Sequence, residues 1–278
     1  MTRRRLVLIL ALAVAGLAAR GGAESKVVIL ATTTSLQDSG LLDVLVPMFE
    51  RQTGLTVKTV AVGTGQALAL AARGEADVTL AHAPELEKKY LRNGKMLNRR
   101  LVMVNDFVIV GPPRDPAQIR GLTQAVDAVR RIAAARARFV SRGDHSGTHQ
   151  RELALWKEAG ITPGPWYIES GRGMGATLMI ADERLAYTLT DRGTLLAQGR
   201  RLGLEIVVEG DPRLRNVYAV LEVSPANGPR VNAAGGKAFA DFVVSREAQA
   251  VIRTFGVEKY GQPLFVPMAG RRDDEVGG

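Results

Sequence analysis

The chain has 278 residues, 46% of them apolar, no cysteine and a formal charge of +9. This length allows one large domain or two small ones, and the apolar content excludes a disordered chain. Without cysteine there is no disulfide, no thiolate metal site, no cysteine nucleophile and no lipid anchor on an N-terminal cysteine.

Arg3, Arg4 and Arg5 open the chain, followed by the apolar run Leu6 to Ala19 and the small residues Gly21-Gly22-Ala23. That is the order of a secretory signal peptide, and the run is shorter than the ~20 residues that span a bilayer. Residues 1–23 are expected to direct export and to be cut off after Ala23, leaving a soluble periplasmic protein. Loss of Arg3, Arg4, Arg5 and Arg20, with no acid, lowers the charge from +9 to +5. Such a mild excess suits an anionic ligand. With scattered arginines and 5% aromatics, no nucleic-acid platform is expected. The densest basic run (Arg130, Arg131, Arg136, Arg138) lies among alanines and reads as a solvated helix face.

Lys26 to Ala31 is a continuous apolar run of strand length, as in a sheet buried on both faces. Thr32-Thr33-Thr34-Ser35 follows directly. A helix is expected from Leu41 to Gln52, with Leu41, Leu45, Met48 and Phe49 as its buried stripe and a kink at Pro47. Leu55 to Val62 returns as a strand. Gly63-Thr64-Gly65-Gln66 opens a helix over Ala67 to Ala72, and Asp77 to Ala81 is a short strand. The repeated strand–loop–helix pattern predicts an α/β fold with a parallel sheet. Thr32 to Ser35 and Thr64 both follow carboxyl ends of strands, where open α/β sheets bind ligands.

Leu101 to Val110, ended by Gly111-Pro112-Pro113, reads as a strand crossing into a second lobe. There a helix is expected over Leu122 to Ala135, a strand over Arg138 to Ser141 and a helix from Gln150. Trp166 to Glu169, Leu185 to Leu189 and Glu205 to Glu209 read as strands, Met174 to Asp182 and Arg192 to Gln198 as helices. Asn216 to Val223 is the return crossing, and helices over Val231 to Val244 and from the N-cap Ser245 finish the chain. Residues 24–107 with 218–278 then form lobe I, and 108–217 form lobe II.

Ser141-Arg142-Gly143-Asp144-His145-Ser146-Gly147-Thr148-His149 stands apart. It combines a fixed positive charge, hydroxyls and glycines just ahead of a helix, whose first N–H groups lack partners. That pattern suits a small anion. It also suits a plain polar turn with a Ser or Thr cap. Asp144 is expected to hold Arg142 by a charge-assisted bond rather than to touch a ligand. Asp191 reads as the N-cap of the Arg192 helix, and Trp156 and Trp166 as core. A hydrolase could use Ser146 with His145 or His149, but no Gly-x-Ser-x-Gly elbow surrounds it. His145, His149 and Glu152 could suggest zinc. A helix starting near Thr148 would not put both imidazoles on one face. No metal cation, cofactor or enzymatic activity is expected.

Four stretches, in order, carry a resemblance: Thr32-Thr33-Thr34-Ser35-Leu36-Gln37-Asp38-Ser39-Gly40-Leu41-Leu42, Val62-Gly63-Thr64-Gly65-Gln66-Ala67-Leu68, the Ser141 to His149 stretch, and Thr188-Leu189-Thr190-Asp191-Arg192-Gly193-Thr194. Together they resemble the tungstate-binding proteins of bacterial ABC importers. The resemblance implies the two-lobed type II periplasmic binding fold, with a tetrahedral oxyanion held between lobes and passed to an ABC transporter permease. The ligand is then tungstate or the nearly equal-sized molybdate, and the protein is expected to be a monomer. By the same resemblance Thr33, Thr34 and Ser35 contact the anion from one lobe, with Thr64 from its second loop. Arg142 supplies the charge from the other lobe, where Ser146, Gly147 and Thr148 supply hydroxyls and amides. His145 stands where a smaller polar residue is expected and receives no role. A sulfate or phosphate binder and a sensory protein on the same fold remain as alternatives.

Overall fold

The computed structural model describes residues 25–198 and 201–276. The expected leader, residues 1–23, lies outside them. Strand β1 (Val27–Thr33) leads directly into helix α1 (Thr34–Asp38), then α2 (Leu42–Thr53), β2 (Thr56–Val62), α3 (Thr64–Ala72) and β3 (Val78–Ala81). Gly54 stops α2 in the left-handed region (φ 69°), its N–H bonding the Glu50 carbonyl. Helix α4 (Pro84–Arg92) was not expected. Its signals are Pro84 in the first turn, with Glu85 and Glu87 there and Lys89 and Arg92 in the last, all favourable to the helix dipole.

Next comes β4 (Met96–Gly111), one strand of 16 residues. Beyond it lie α5 (Ala125–Ala134), β5 (Phe139–Ser141), α6 (Gly147–Ala159), β6 (Tyr167–Glu169), α7 (Met174–Glu183), β7 (Thr188–Asp191), α8 (Arg192–Gln198) and β8 (Glu205–Val208). The chain then returns through β9 (Arg215–Val223), α9 (Ala233–Val243), α10 (Arg246–Thr254) and β10 (Val266–Pro267).

β4 belongs to both lobes. Met96 to Asp106 pairs with β9, while Phe107 to Gly111 pairs with β7 and β8. The change of partner falls between Asp106 and Phe107. The lobe I sheet runs β10-β4-β9-β3-β1-β2. It is parallel only where β1 meets β2 and β3. β9 is antiparallel to both β3 and β4, because it brings the chain back from lobe II alongside the strand that left. The expected all-parallel sheet is therefore a mixed one.

Each lobe has its own core. In lobe I, Leu30, Leu45, Phe49, Phe239 and Val243 are buried together, with Phe49 and Phe239 ring centres 5.2 Å apart. In lobe II, Phe139, Trp156, Tyr187 and Leu189 are buried, and Trp166 packs against them. A buried side chain of this size contributes ~1.5–3 kcal/mol. That stabilisation lies within each lobe, so parting the lobes would disturb polar contacts rather than these cores.

Candidate functional site

Helix starts from both lobes meet at the seam. Thr33 is extended (φ −107°, ψ 148°), and its Oγ1 caps α1 by accepting the Leu36 N–H at 3.3 Å. Thr34 and Ser35 follow in the first turn. Thr64 is the first residue of α3, behind the extended Gly63. In lobe II, Ser146 (φ −67°, ψ 170°) caps α6 by accepting the His149 N–H at 3.3 Å, and Gly147 and Thr148 begin that helix. Thr33 and Ser146 each keep an O–H to donate, since a hydroxyl has two lone pairs and one proton.

Arg142 is 1% exposed. Its Nη2 donates to Asp144 Oδ2 at 2.5 Å and, across the seam, to Thr34 Oγ1 at 3.3 Å. Asp144 Oδ1 accepts the Ser146 N–H at 3.1 Å. Breaking a buried ion pair by removing one partner costs ~3–5 kcal/mol. The guanidinium is thus held in one place.

Among the described residues, Thr64 Oγ1, Thr148 Oγ1 and Arg142 Nε are buried without a hydrogen-bond partner. A buried polar group left unpaired costs ~1–3 kcal/mol. These atoms come from both lobes, and each can donate a hydrogen bond.

Glycines allow the close approach of the lobes. A Cβ on Gly63 would lie 3.4 Å from the Asp144 carbonyl oxygen, and one on Gly65 3.4 Å from that of His145. A Cβ on Gly173, before α7, would lie 3.4 Å from Thr34 Oγ1. Gly147 is the tightest of these: a Cβ there would lie 2.8 Å from both Nδ1 and the carbonyl oxygen of His82.

His82 escaped the sequence reading as a site residue. It follows the carboxyl end of β3, the position that singled out Thr32 to Ser35 and Thr64, and that signal could have found it. Its Nε2 lies 3.3 Å from Ser35 Oγ. Burial, helped by the nearby Arg142 charge, pushes its pKa down to about 3, so the ring is neutral. Thr194 is a second missed residue: its Oγ1 reaches the Ser35 carbonyl at 3.4 Å. Asp191 takes the capping role expected of it, accepting the Thr194 N–H at Oδ1 and the Thr194 hydroxyl at Oδ2, both at 2.8 Å. His145 is exposed, at φ 58°.

The geometry does not assemble a hydrolase or a zinc site. Ser146 Oγ is engaged as a cap. His149 Nδ1 accepts the His145 N–H at 3.0 Å, and Glu152 Oε1 accepts Trp156 Nε1 at 3.1 Å and Tyr167 OH at 2.7 Å. Among the described residues no group of three or more His, Asp or Glu could hold a metal ion. What the seam offers is a fixed cation, hydroxyls and helix-start amides: the donor set for a small anion.

Proteins similar to this chain in sequence and fold carry tungstate- or anion-binding names. A family model described as the PBP superfamily domain matches residues 20–247. The tungstate-binding protein TupA of Peptoclostridium acidaminophilum is 48% identical over 276 residues, covering 95% of this chain and 96% of that protein. The chain belongs to this TupA family, within the PBP superfamily. Two solved structures agree. The tungstate ABC transporter structure from Geobacter sulfurreducens has a TM-score of 0.75 at 46% identity, covering 82% of this chain and 98% of that one. The tungstate-binding protein TupA from Desulfovibrio alaskensis G20 has a TM-score of 0.72 at 41% identity, covering 87% and 99%. The fold of this TupA-family chain is accordingly the two-lobed type II binding fold.

Proposed function

We propose that this protein captures tungstate in the seam between its lobes and delivers it to the membrane permease of an ABC importer. The observation that carries the reading is the set of buried, unpartnered donors Thr64 Oγ1, Thr148 Oγ1 and Arg142 Nε, drawn from both lobes. The names of its relatives support tungstate as the anion. Molybdate has the same charge and nearly the same size, and it is the competing ligand. In this reading Thr33, Thr34, Ser35, Thr64, Arg142, Ser146, Gly147 and Thr148 surround the anion, and Asp144 aims Arg142. The protein works in the periplasm as a monomer, without a cofactor, after removal of residues 1–23. The basic, apolar and small-residue order of that segment supports export.

Calorimetric titration with tungstate, molybdate, sulfate and phosphate tests the ligand. Tight binding of tungstate is expected. Binding of phosphate or sulfate in its place would overturn the assignment. The mass of the exported chain tests the cut after Ala23, and sedimentation tests the monomer.

A further inference from the structure

His82 contacts both sides of the anion seam, yet it is not among the residues that the family resemblance marks as ligands. Its ring packs on Tyr218 at 4.7 Å between centres and lies 6.2 Å from Phe107. Gly147 of the other lobe closes over it. The residue is 4% exposed, and its Nε2 is 3.3 Å from the fully buried Ser35 Oγ.

We propose that His82 is a positioning residue: it donates Nε2–H to Ser35 Oγ and so makes Ser35 a hydrogen-bond donor to the bound anion. The proposal rests on the oxyanion reading above and names one feature of that site that favours fully deprotonated anions. A neutral imidazole carries one N–H. Nδ1 is buried and without a partner. The proposal places the proton on Nε2, which has Ser35 Oγ in reach, because Nδ1 forms no hydrogen bond; the Asn216 side chain beside the ring, whose Oδ1 also lacks a partner, is the acceptor that the opposite tautomer would use. Thr33 Oγ1 lies 3.2 Å from Ser35 Oγ and already accepts the Leu36 N–H. Either hydroxyl can donate in this contact, and the proposal gives the Thr33 O–H to the second lone pair of Ser35. With both lone pairs taken, Ser35 has only its proton to offer. An anion that carries its own O–H, such as hydrogen phosphate, finds no acceptor there. The low pKa of His82 keeps the ring neutral throughout the working range.

Two variants separate this role from mere packing. His82→Gln keeps a nitrogen donor at a similar reach, whereas His82→Met keeps the bulk and removes the donor. His82→Met is expected to lose tungstate affinity by about tenfold, the upper end of what a hydrogen bond between two neutral groups contributes. Its preference for tungstate over hydrogen phosphate should narrow as well, because Ser35 is then free to accept. His82→Gln should stay within about threefold of the parent protein on both measures. Equal losses in the two variants, or an unchanged anion preference in His82→Met, would overturn the proposal.

The tautomer can also be read directly, whether or not the variants fold. With only His82, His145 and His149 present, ring nitrogen shifts of the 15N-histidine-labelled protein assign each ring. An Nε2–H signal for His82 is expected, and an Nδ1–H tautomer refutes the proposal. A parent protein that bound no tungstate would instead refute the ligand assignment, while the tautomer would still be measured.

Discussion

Arg142 reaches Asp144 through Nη2, 2.5 Å from Oδ2, and keeps its Nε buried without a partner. Nη2 is anchored, and the Nε–H remains able to donate. Arg142→Ala should therefore weaken tungstate binding by at least ~1.5–3 kcal/mol, the range for hydrogen bonds to charged groups. Arg130→Ala is the control. Arg130 is half exposed and, among the described residues, pairs only with Asp127 at 2.9 Å, three residues away on the same helix. Such a pair contributes ~0–1 kcal/mol to stability and nothing to the seam. Calorimetry on both variants decides the point, and equal affinities would remove Arg142 from the site.

Gly147 makes a different kind of test. The clash of a new Cβ with His82 arises only where the lobes meet, at a buried ring and a backbone oxygen that have little room to yield. Gly147→Ala should fold normally, melt close to the parent protein without ligand, and lose tungstate affinity by about tenfold or more, as expected for overpacking at ~1–3 kcal/mol. Small-angle scattering should show that tungstate no longer gives the compact profile it gives the parent protein. Wild-type affinity in this variant would mean that binding does not need the lobes as close as they are here.

Phosphate should fail to compete. At neutral pH it keeps a proton, which needs an acceptor, whereas tungstate has none. Asp144 has both oxygens engaged, and so does Asp191. Asp77 accepts the Ile29 and Asn232 N–H groups, both at 2.7 Å. A site built for one hydrogen-bond pattern rejects the wrong one strongly. Excess phosphate at neutral pH should leave tungstate bound in competition calorimetry. Tungstate affinity should also be flat between about pH 6.5 and 8, because Arg142 keeps its charge and His82, at about 3, is already neutral. Displacement by phosphate would require a carboxylate turned into the seam.

Glu152 gives a prediction about stability. It is 2% exposed, accepts from Trp156 and Tyr167, and is pushed by burial from 4.5 up to about 7. The folded state therefore favours the protonated acid. Its contribution is fully present below about pH 4.5 and is lost as pH rises through about 7. Glu152→Gln keeps an acceptor and cannot ionise. Its stability relative to the parent should rise across that window by at most about 3 kcal/mol, then level off. Denaturant unfolding at several pH values would show it. Parallel curves for the two proteins would mean that Glu152 ionises as easily folded as unfolded.

Much of the architecture was written locally. The Ser146 and Ser245 caps, the Gly54 stop and the helix of Arg192 to Gln198 depend on residues within a turn of one another, which the amino-acid order states outright. The pairing of Arg142 with Asp144 was legible for the same reason: two residues apart in a glycine-rich turn, they have few other partners. Hydroxyl loops at strand ends could likewise be read from the strand–loop–helix pattern. Helix α4 was legible in principle from its proline and charge order, but its apolar stripe is too thin to announce itself.

The sequence order could not say which loops meet. His82 and Gly147 belong to different lobes and approach because β4, beside β9 in one lobe, changes partner between Asp106 and Phe107 and joins β7 and β8 in the other. A lone histidine after a short strand carries no mark of that. Burial of its ring, the contact with Ser35 and the low pKa all follow from packing against Tyr218, Phe107 and the far lobe. The antiparallel course of β9 is of the same kind. Periodicity identifies a strand, and only the return path of the chain sets its direction beside its neighbours. Amino-acid order by itself determined the caps and the family, and it named the candidate donors. The tertiary structure alone decided which of these groups are buried and which loops of the two lobes touch, since burial and proximity are properties of two surfaces brought together.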